Sequence, residues 1–162
     1  MRRKDREVTD RQDLLEIMRK CDVCRLALHD EKYPYVFPVN FGLKDDGEKM
    51  ELIFHSALEG HKVDLMKADN RAAFEMDCGH QLQYFEEKGY CTFAYESVMG
   101  HGHITILEES EKEEALALLM EQYHPGENAY FDPAAIPRTL VYKLTIEEMT
   151  GKRKELKKEK EK

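Results

Sequence analysis

The sequence predicts a mainly β domain with flanking helices, a largely antiparallel sheet that most simply curls into a small barrel. Three observations carry this expectation. Apolar/polar alternation recurs at residues 35–43, 50–55, 72–78, 91–95 and 140–146, which is the period of a half-buried strand. Several of these runs are joined by hairpin-length links, so neighbouring strands pair antiparallel. Only two segments, around 10–20 and 110–123, keep a helical period for long. With 162 residues, 41% hydrophobic and 36% charged, the chain fits one domain with a real core and a highly charged surface.

In chain order, Thr9-Asp10-Arg11-Gln12 fits a capping box, and Leu14, Ile17, Met18 and Cys21 follow at helical spacing. A first strand is predicted over 23–29, then a polar turn at Asp30-Glu31-Lys32. The second strand, 35–43, puts Tyr35, Phe37, Val39 and Phe41 on one face and Val36, Pro38 and Asn40 on the other. Pro38 cannot donate to a ladder, so it marks an edge, a bulge or a place where pairing stops. Asn40 beside it offers an amide donor and a carbonyl acceptor. Lys44-Asp45-Asp46-Gly47 is a hairpin turn, and the third strand runs from Met50 to His55 and Ser56. A short helix is predicted over 61–70, a fourth strand over 72–78 and a loop over 79–89. The fifth strand, 91–95, runs into Ser97, Val98, Gly100 and Gly102, and a sixth passes through Ile104 and Ile106. Glycines inside strands mark a bulge or a close approach by ligand or backbone. Ser110-Glu111-Lys112-Glu113 is a second capping box, and His124-Pro125-Gly126 stops the helix it opens. Residues 131–138 read as a loop or short helical turn before the last strand, 140–146.

No apolar run approaches the roughly 18 residues of a membrane span. The basic start has no apolar segment behind it, so a cytoplasmic location is the default expectation. The formal net charge is −8, and residues 151–162 carry +4 of their own. The acidic remainder argues against nucleic acid as a partner. The expected organisation is one domain over 1–150 with a charged, frayed tail over 151–162. Cys21, Cys24, Cys78 and Cys91 lack the second close pair of a zinc ribbon, and they read as buried structural residues. His101 and His103 share a strand face but have no third ligand at a clear spacing, so no metal site is expected.

The stretch from Phe54 to Lys62 concentrates the chemistry. A strand delivers His55, Ser56 and Ala57 to a glycine-containing turn, and a helix opens near His61 and Lys62. Free N–H groups and partial positive charge at such a helix start suit a phosphate. Taken alone, the residues favour a capped turn with a surface lysine. Arg138 reads as a surface arginine, with an approach to the phosphate or a partner subunit as the other possibility.

Five motifs then stand in register over most of the chain. They are Cys21-Asp22-Val23-Cys24-Arg25-Leu26; Tyr33-Pro34-Tyr35-Val36 with Pro38-Val39-Asn40-Phe41; Phe54-His55-Ser56-Ala57 with Glu59-Gly60 and Lys62; Ser97-Val98 with Gly100 and Gly102; and Thr150-Gly151-Lys152-Arg153. In these the chain resembles the pyridoxamine 5′-phosphate oxidase-like FMN-binding split-barrel superfamily, and within it the nitroimidazole-resistance (Nim) family. The resemblance implies a six-stranded antiparallel split β-barrel and a homodimer with FMN at the subunit interface. It implies that Pro38, Val39, Asn40 and Phe41 lie along the isoalloxazine ring and that His55, Ser56 and Ala57 line it. Lys62, with His61 and the turn before it, would meet the phosphate. Ser97, Val98, Gly100 and Gly102 would let neighbouring strands approach the cofactor. His55 becomes the candidate catalytic residue. Histidine stands at position 61 where the family pattern has arginine, and a histidine is only partly charged at neutral pH. The implied activity is a flavin-dependent reductase that passes electrons from NAD(P)H or another donor to a small acceptor such as a nitroaromatic. A split barrel holding flavin or haem as a carrier or sensor is the alternative. No GxGxxG opens a helix, so a nicotinamide donor would bind only transiently.

Overall fold

The computed structural model describes residues 3–127 and 130–157. Its strands are β1 (Glu7–Val8), β2 (Cys24–Leu28), β3 (Tyr35–Val39), β4 (Gly42–Asp45), β5 (Met50–Ala57), β6 (Arg71–Phe85), β7 (Tyr90–Ile106) and β8 (Thr139–Lys154). Its α-helices are α1 (Arg11–Lys20), α2 (His61–Ala68) and α3 (Lys112–Tyr123). Among the described residues, the strands form one antiparallel sheet in the order β3-β2-β6-β7-β8-β5-β4, with β1 on β8. The mainly β architecture with outer helices is therefore as expected. The count of six strands is not: among the described residues there are eight, and no pairing joins the edge strands β3 and β4, so the sheet curls without closing.

The expected strand 35–43 breaks because its two halves belong to opposite edges. β3 pairs with β2, with Pro38 opposite Arg25, whereas β4 pairs with β5. Pro38 thus sits on an edge strand, where its missing N–H breaks no ladder. Asn40 and Phe41 carry the chain between the edges. The Phe41 N–H donates to the Tyr123 hydroxyl (3.1 Å), and that hydroxyl donates to the Asp22 carbonyl (2.9 Å). The crossing passes so close to α3 that a Cβ on Gly42 would lie 2.6 Å from the Leu119 backbone nitrogen. The last turn of α3 also gathers α1: the Gln122 amide donates to the carbonyls of Arg19 (3.2 Å) and Cys21 (3.1 Å), satisfying groups a helix end leaves open.

One loop expected from composition, 79–89, is mostly strand instead. Residues 79–85 continue β6 and pair with the start of β7, Gln81 opposite Ala94 and Phe85 opposite Tyr90, after a bulge that follows Cys78. The result is a projecting hairpin arm tipped by a 3₁₀ turn at Glu86–Lys88. Its polar residues are those of a solvated ladder, so polarity there did not mean loop. The fifth and sixth strands fuse into β7 for the same reason. β8 likewise outruns its expected end at 146, and Gly151 is buried against Leu14 and Val8. Residues 151–154 of the expected tail are therefore strand, and residues 158–162 lie outside the described residues.

The helix starts are shifted too. Asp10, not Thr9, caps α1, accepting from the N–H groups of Gln12 (2.9 Å) and Asp13 (3.1 Å). The second capping box joins Glu108 and Glu111 ahead of α3, rather than Ser110 and Glu113.

The core fills the inside of the curl. Phe41, Leu52, Phe54, Met76, Val98 and Tyr142 are fully buried there, and the Leu14, Ile17 and Met18 stripe of α1 packs into the same core against β6 and β7. A smaller cluster of Ile53, Leu107, Ala115, Leu116 and Val141 seats α3 on the outer face of β5 and β8. Of the cysteines, Cys21 and Cys24 are buried, Cys78 is partly so and Cys91 is exposed, which corrects the expectation for the last two.

Candidate functional site

β5 ends in register with β8, Ala57 opposite Thr139, and releases the chain into Leu58, Glu59 and Gly60. Gly60 is the N-cap of α2, at φ 135°, a backbone region that side-chain-bearing residues avoid. Its carbonyl accepts from the N–H groups of Val63 (2.8 Å) and Asp64 (3.1 Å), and no side chain caps the helix start. The first turn of α2 thus presents uncapped backbone N–H groups beside Lys62.

Lys62 is half-buried, with its ammonium 5.4 Å from the centre of the Phe37 ring on β3. His61 turns the other way. Its Nε2 lies 2.9 Å from the Asp30 carboxylate, and its ring stands edge-on to Tyr35 at 5.0 Å. Tyr35 in turn meets Phe37 at 5.3 Å. These contacts bind the start of α2 to β3 and to the turn after β2. They also commit the His61 ring nitrogen to Asp30, which leaves Lys62 as the side chain beside the open N–H groups at this end of α2.

His55 projects from the outer face of β5 into a cavity of about 290 Å³ walled by Leu116, Met120, Phe131, Ile136 and Asp132. Burial, and secondarily the Lys62 charge, hold its imidazole below the ordinary histidine range, so it is neutral at neutral pH. The Ser56 hydroxyl donates to the Ala57 carbonyl at 2.9 Å, and Ala57 itself is exposed.

The other expected site residues divide. Pro38 and Asn40 are exposed and Val39 is half-buried, close to the Lys62 end of β3. Phe41 and Val98, both expected at the cofactor, have their side chains wholly in the core, Phe41 from the crossing between β3 and β4 and Val98 from the inward phase of β7. Only their backbones can face a ligand. Gly100 and Gly102 make room for β8: a Cβ would lie 2.4 Å from the Glu148 carbonyl oxygen in the first case and 1.9 Å from that of Thr145 in the second. The register shifts at this point, so the close approach here is by backbone. Ser97 is half-buried and lies opposite Asp77 and Lys152. Through β6 and β2, Gly100 of the β7 strip shares a row with Phe74, Leu26 and Phe37, the ring beneath Lys62; through β8 and β5 the route is longer. Phe54 pairs with Tyr142, and Tyr142 pairs with Ile106, nine residues along β7 from Ser97. Arg138 donates to the Ala134 carbonyl at 2.9 Å and is an exposed surface residue. His103 pairs with Glu147 at 2.9 Å.

Sequence reasoning missed two features. Asp30, the partner of His61, was read only as a turn residue, and a pairing across 31 positions leaves no local signal. The outer sheet face carries a hollow of about 590 Å³ lined by Ala27, Val36, Ala73, Met99 and Met149, with Arg25 and Glu75 at its rim. Val36 and Met99 are more than half exposed. The alternation placed them outward, but their common location needed the sheet order.

This arrangement has relatives. The pyridoxamine 5′-phosphate oxidase family profile matches residues 10–153. A candidate 5-nitroimidazole antibiotic resistance protein from Bacteroides thetaiotaomicron is 30% identical, with 90% of this chain and 85% of that one covered and a TM-score of 0.77. The chain therefore belongs to the pyridoxamine 5′-phosphate oxidase-like superfamily, on its Nim-like side. Two more distant structures share the fold. The FAD and heme binding protein of Mycobacterium smegmatis is 19% identical (TM-score 0.79; 96% of this chain and 77% of that one covered). The flavocytochrome Anf3 of Azotobacter vinelandii is 18% identical (TM-score 0.78; 96% and 72% covered). No curated protein sequence matches the chain. Among the described residues, no helix is long and apolar enough to cross a membrane.

Proposed function

We propose that this chain is an FMN-dependent reductase that works as a homodimer, passing electrons from a reduced donor such as NAD(P)H to a small acceptor of the nitroaromatic class. The observation that carries the reading is the junction of β3, β5 and α2. There an uncapped helix start and an unpaired, half-buried lysine stand at the end of a strand with exposed backbone, beside a neutral histidine. The donor set fits a flavin mononucleotide: N–H groups and an ammonium for a phosphate, and backbone and Asn40 amide groups for ring oxygens and nitrogens.

In this reading, Lys62 and the first turn of α2 hold the phosphate, and the segment from Pro38 to Phe41 orients the ring through its backbone. Bound flavin would supply the electron transfer itself. The chain supplies position and polarity. His55, neutral and set in its own cavity, offers one nitrogen as donor and the other as acceptor to a small molecule held there. The dimer is proposed because the outer hollow leaves apolar surface uncovered.

The test is the spectrum of the purified protein. Absorption bands at about 370 and about 450 nm support flavin, and a single intense band at about 400 nm supports the alternative of a haem carrier. Reconstitution with FMN and with FAD, each followed by fluorescence, decides between the two flavins. Turnover is tested by anaerobic reduction and addition of a nitroimidazole: unaltered reoxidation kinetics leave a flavin carrier without this activity. Lys62→Ala is expected to weaken FMN binding by about 1.5–3 kcal/mol, the worth of a charge-assisted contact. Unchanged affinity would place the phosphate elsewhere.

A further inference from the structure

Outside this site, the fold brings together two thiols that no sequence spacing pairs. Cys21 closes α1, its N–H donating to the Met18 carbonyl at 3.1 Å. Its thiol donates to the Ile17 carbonyl at 3.2 Å, and the Cys78 thiol, from β6, points to the same oxygen at 3.8 Å. The two thiols also contact each other. Cys24, the other half of the CxxC spacing, faces the core instead and is fully buried. The pair therefore joins residues 57 positions apart on two elements, and it is not a redox CxxC.

We propose that Cys21 and Cys78 form an oxidation site, a thiol pair that closes to a disulfide and fastens α1 to the root of the β6–β7 arm. Access is asymmetric. Cys78 is partly exposed whereas Cys21 is 1% exposed, so a small peroxide reaches Cys78 and Cys21 waits behind it as the resolving thiol. In the first step the Cys78 sulfur attacks peroxide: an S–O bond forms, the O–O bond breaks, and water leaves with the thiol proton. In the second step the Cys21 sulfur attacks Cys78: the S–S bond forms, the S–O bond breaks, and a second water leaves. Two thiols lose two electrons, and one peroxide takes them. Burial holds both thiols above the ordinary range, which keeps the thiolate scarce and the reaction slow, as suits a site that responds to sustained oxidant.

The place of the bond gives it a consequence. Cys78 lies opposite Glu96, immediately before the β6 bulge, and the next pair is Asp77 with Ser97. Glu96 already ties α1 to β7 and β8 through Lys20 (3.0 Å) and Arg153. A disulfide adds a covalent tie at the same joint and restrains the unfolded chain across 57 positions.

The experiment uses the full chain with Cys91→Ser, which removes the exposed thiol. The protein is exposed to hydrogen peroxide, alkylated under denaturing conditions and mapped without reduction. The expected result is loss of two of its three thiols, a linked Cys21–Cys78 peptide, and an upward shift in melting temperature of roughly 5–10 °C that dithiothreitol reverses. Cys78→Ser should retain both remaining thiols and show no shift. Cys21→Ser should trap a Cys78 sulfenic acid that dimedone labels. Three alkylatable thiols after peroxide, or a linkage that involves Cys24, overturns the proposal. Because the mapping is done without either pair variant, it decides the matter even if those variants fold poorly.

Discussion

At the scale of single residues, the site is governed by which polar groups already have partners. His61 is committed to Asp30, whereas Lys62 has an aromatic face beneath it and its charge is felt at His55. The His55 ring therefore takes up its proton at a lower pH in the folded chain than in the unfolded one. Above the ordinary value of 6.5 both states are neutral and nothing is gained or lost. As pH falls through that value the unfolded state binds protons first, so His55 lowers stability on the acid side. An NMR titration, assigned with His55→Ala, should give a midpoint below 6.5. Lys62→Ala should move that midpoint up without restoring it, because burial is the larger cause and stays. A midpoint indifferent to Lys62 would separate the two residues and dissolve the proposed site. A second residue tests the core. The Tyr142 hydroxyl is buried, stacked ring on ring with Phe54 at 5.3 Å, and has no hydrogen-bond partner among the described residues. Since a buried hydroxyl without a partner carries a desolvation cost, Tyr142→Phe is expected to stabilise the protein by about 1 kcal/mol in urea unfolding. A loss of stability would mean that the hydroxyl has work to do.

At the scale of elements, the clearest case is β7 against β8. Gly102 is where the two backbones come closest, and Gly102→Ala would force a carbon onto the Thr145 carbonyl. It should destabilise the fold by about 1–3 kcal/mol, the cost of overpacking, or more if the bulge cannot relax. Equilibrium denaturation measures it, and a neutral result would show that the strands can part. The same glycines mark the limit of what the sequence disclosed. Alternation located the strands whose inward residues, such as Phe37, Phe54 and Met76, announce themselves by period. It could not say that Gly102 was vacated for a backbone and not for a ligand, since both leave the same residue. Nor could it show that 35–43 is two strands: Val39 and Phe41 keep one phase, and only the partners at the two edges separate β3 from β4. The arm was hidden because Gln81, Gln83 and Thr92 are polar, and polarity separates loop from strand only where one face is buried. At the site, Gly60 and Lys62 were legible from local spacing, whereas the wall of the His55 cavity comes from α3 and the 130–139 segment, which no local pattern connects to β5.

At the scale of the whole molecule, the question is whether one chain makes a complete site. β7 carries Ser97 away from the α2 strip, nine residues before the row that meets β5. In the proposed dimer, the two strips that touch one cofactor come from different copies. The surface suited to bring copies together is the outer hollow, where Val36 and Met99 stand exposed over Ala27, Ala73 and Met149, with the Arg25 guanidinium bound to Glu75 and Asp77 at its edge. Apolar centre and charged rim is the anatomy of a protein interface. Met99→Glu places a charge in the middle of that face without disturbing the core, since the side chain is already 53% exposed. The expected outcome is a monomer by sedimentation velocity, an unchanged far-ultraviolet spectrum, and an FMN affinity at least about tenfold weaker, or about 1.4 kcal/mol. Wild-type protein diluted below its dimerisation constant should lose FMN over the same concentration range. A monomeric variant that still binds FMN as tightly as wild type would show that the α2 strip, with the end of β3, holds the cofactor alone, and that β7 takes no part.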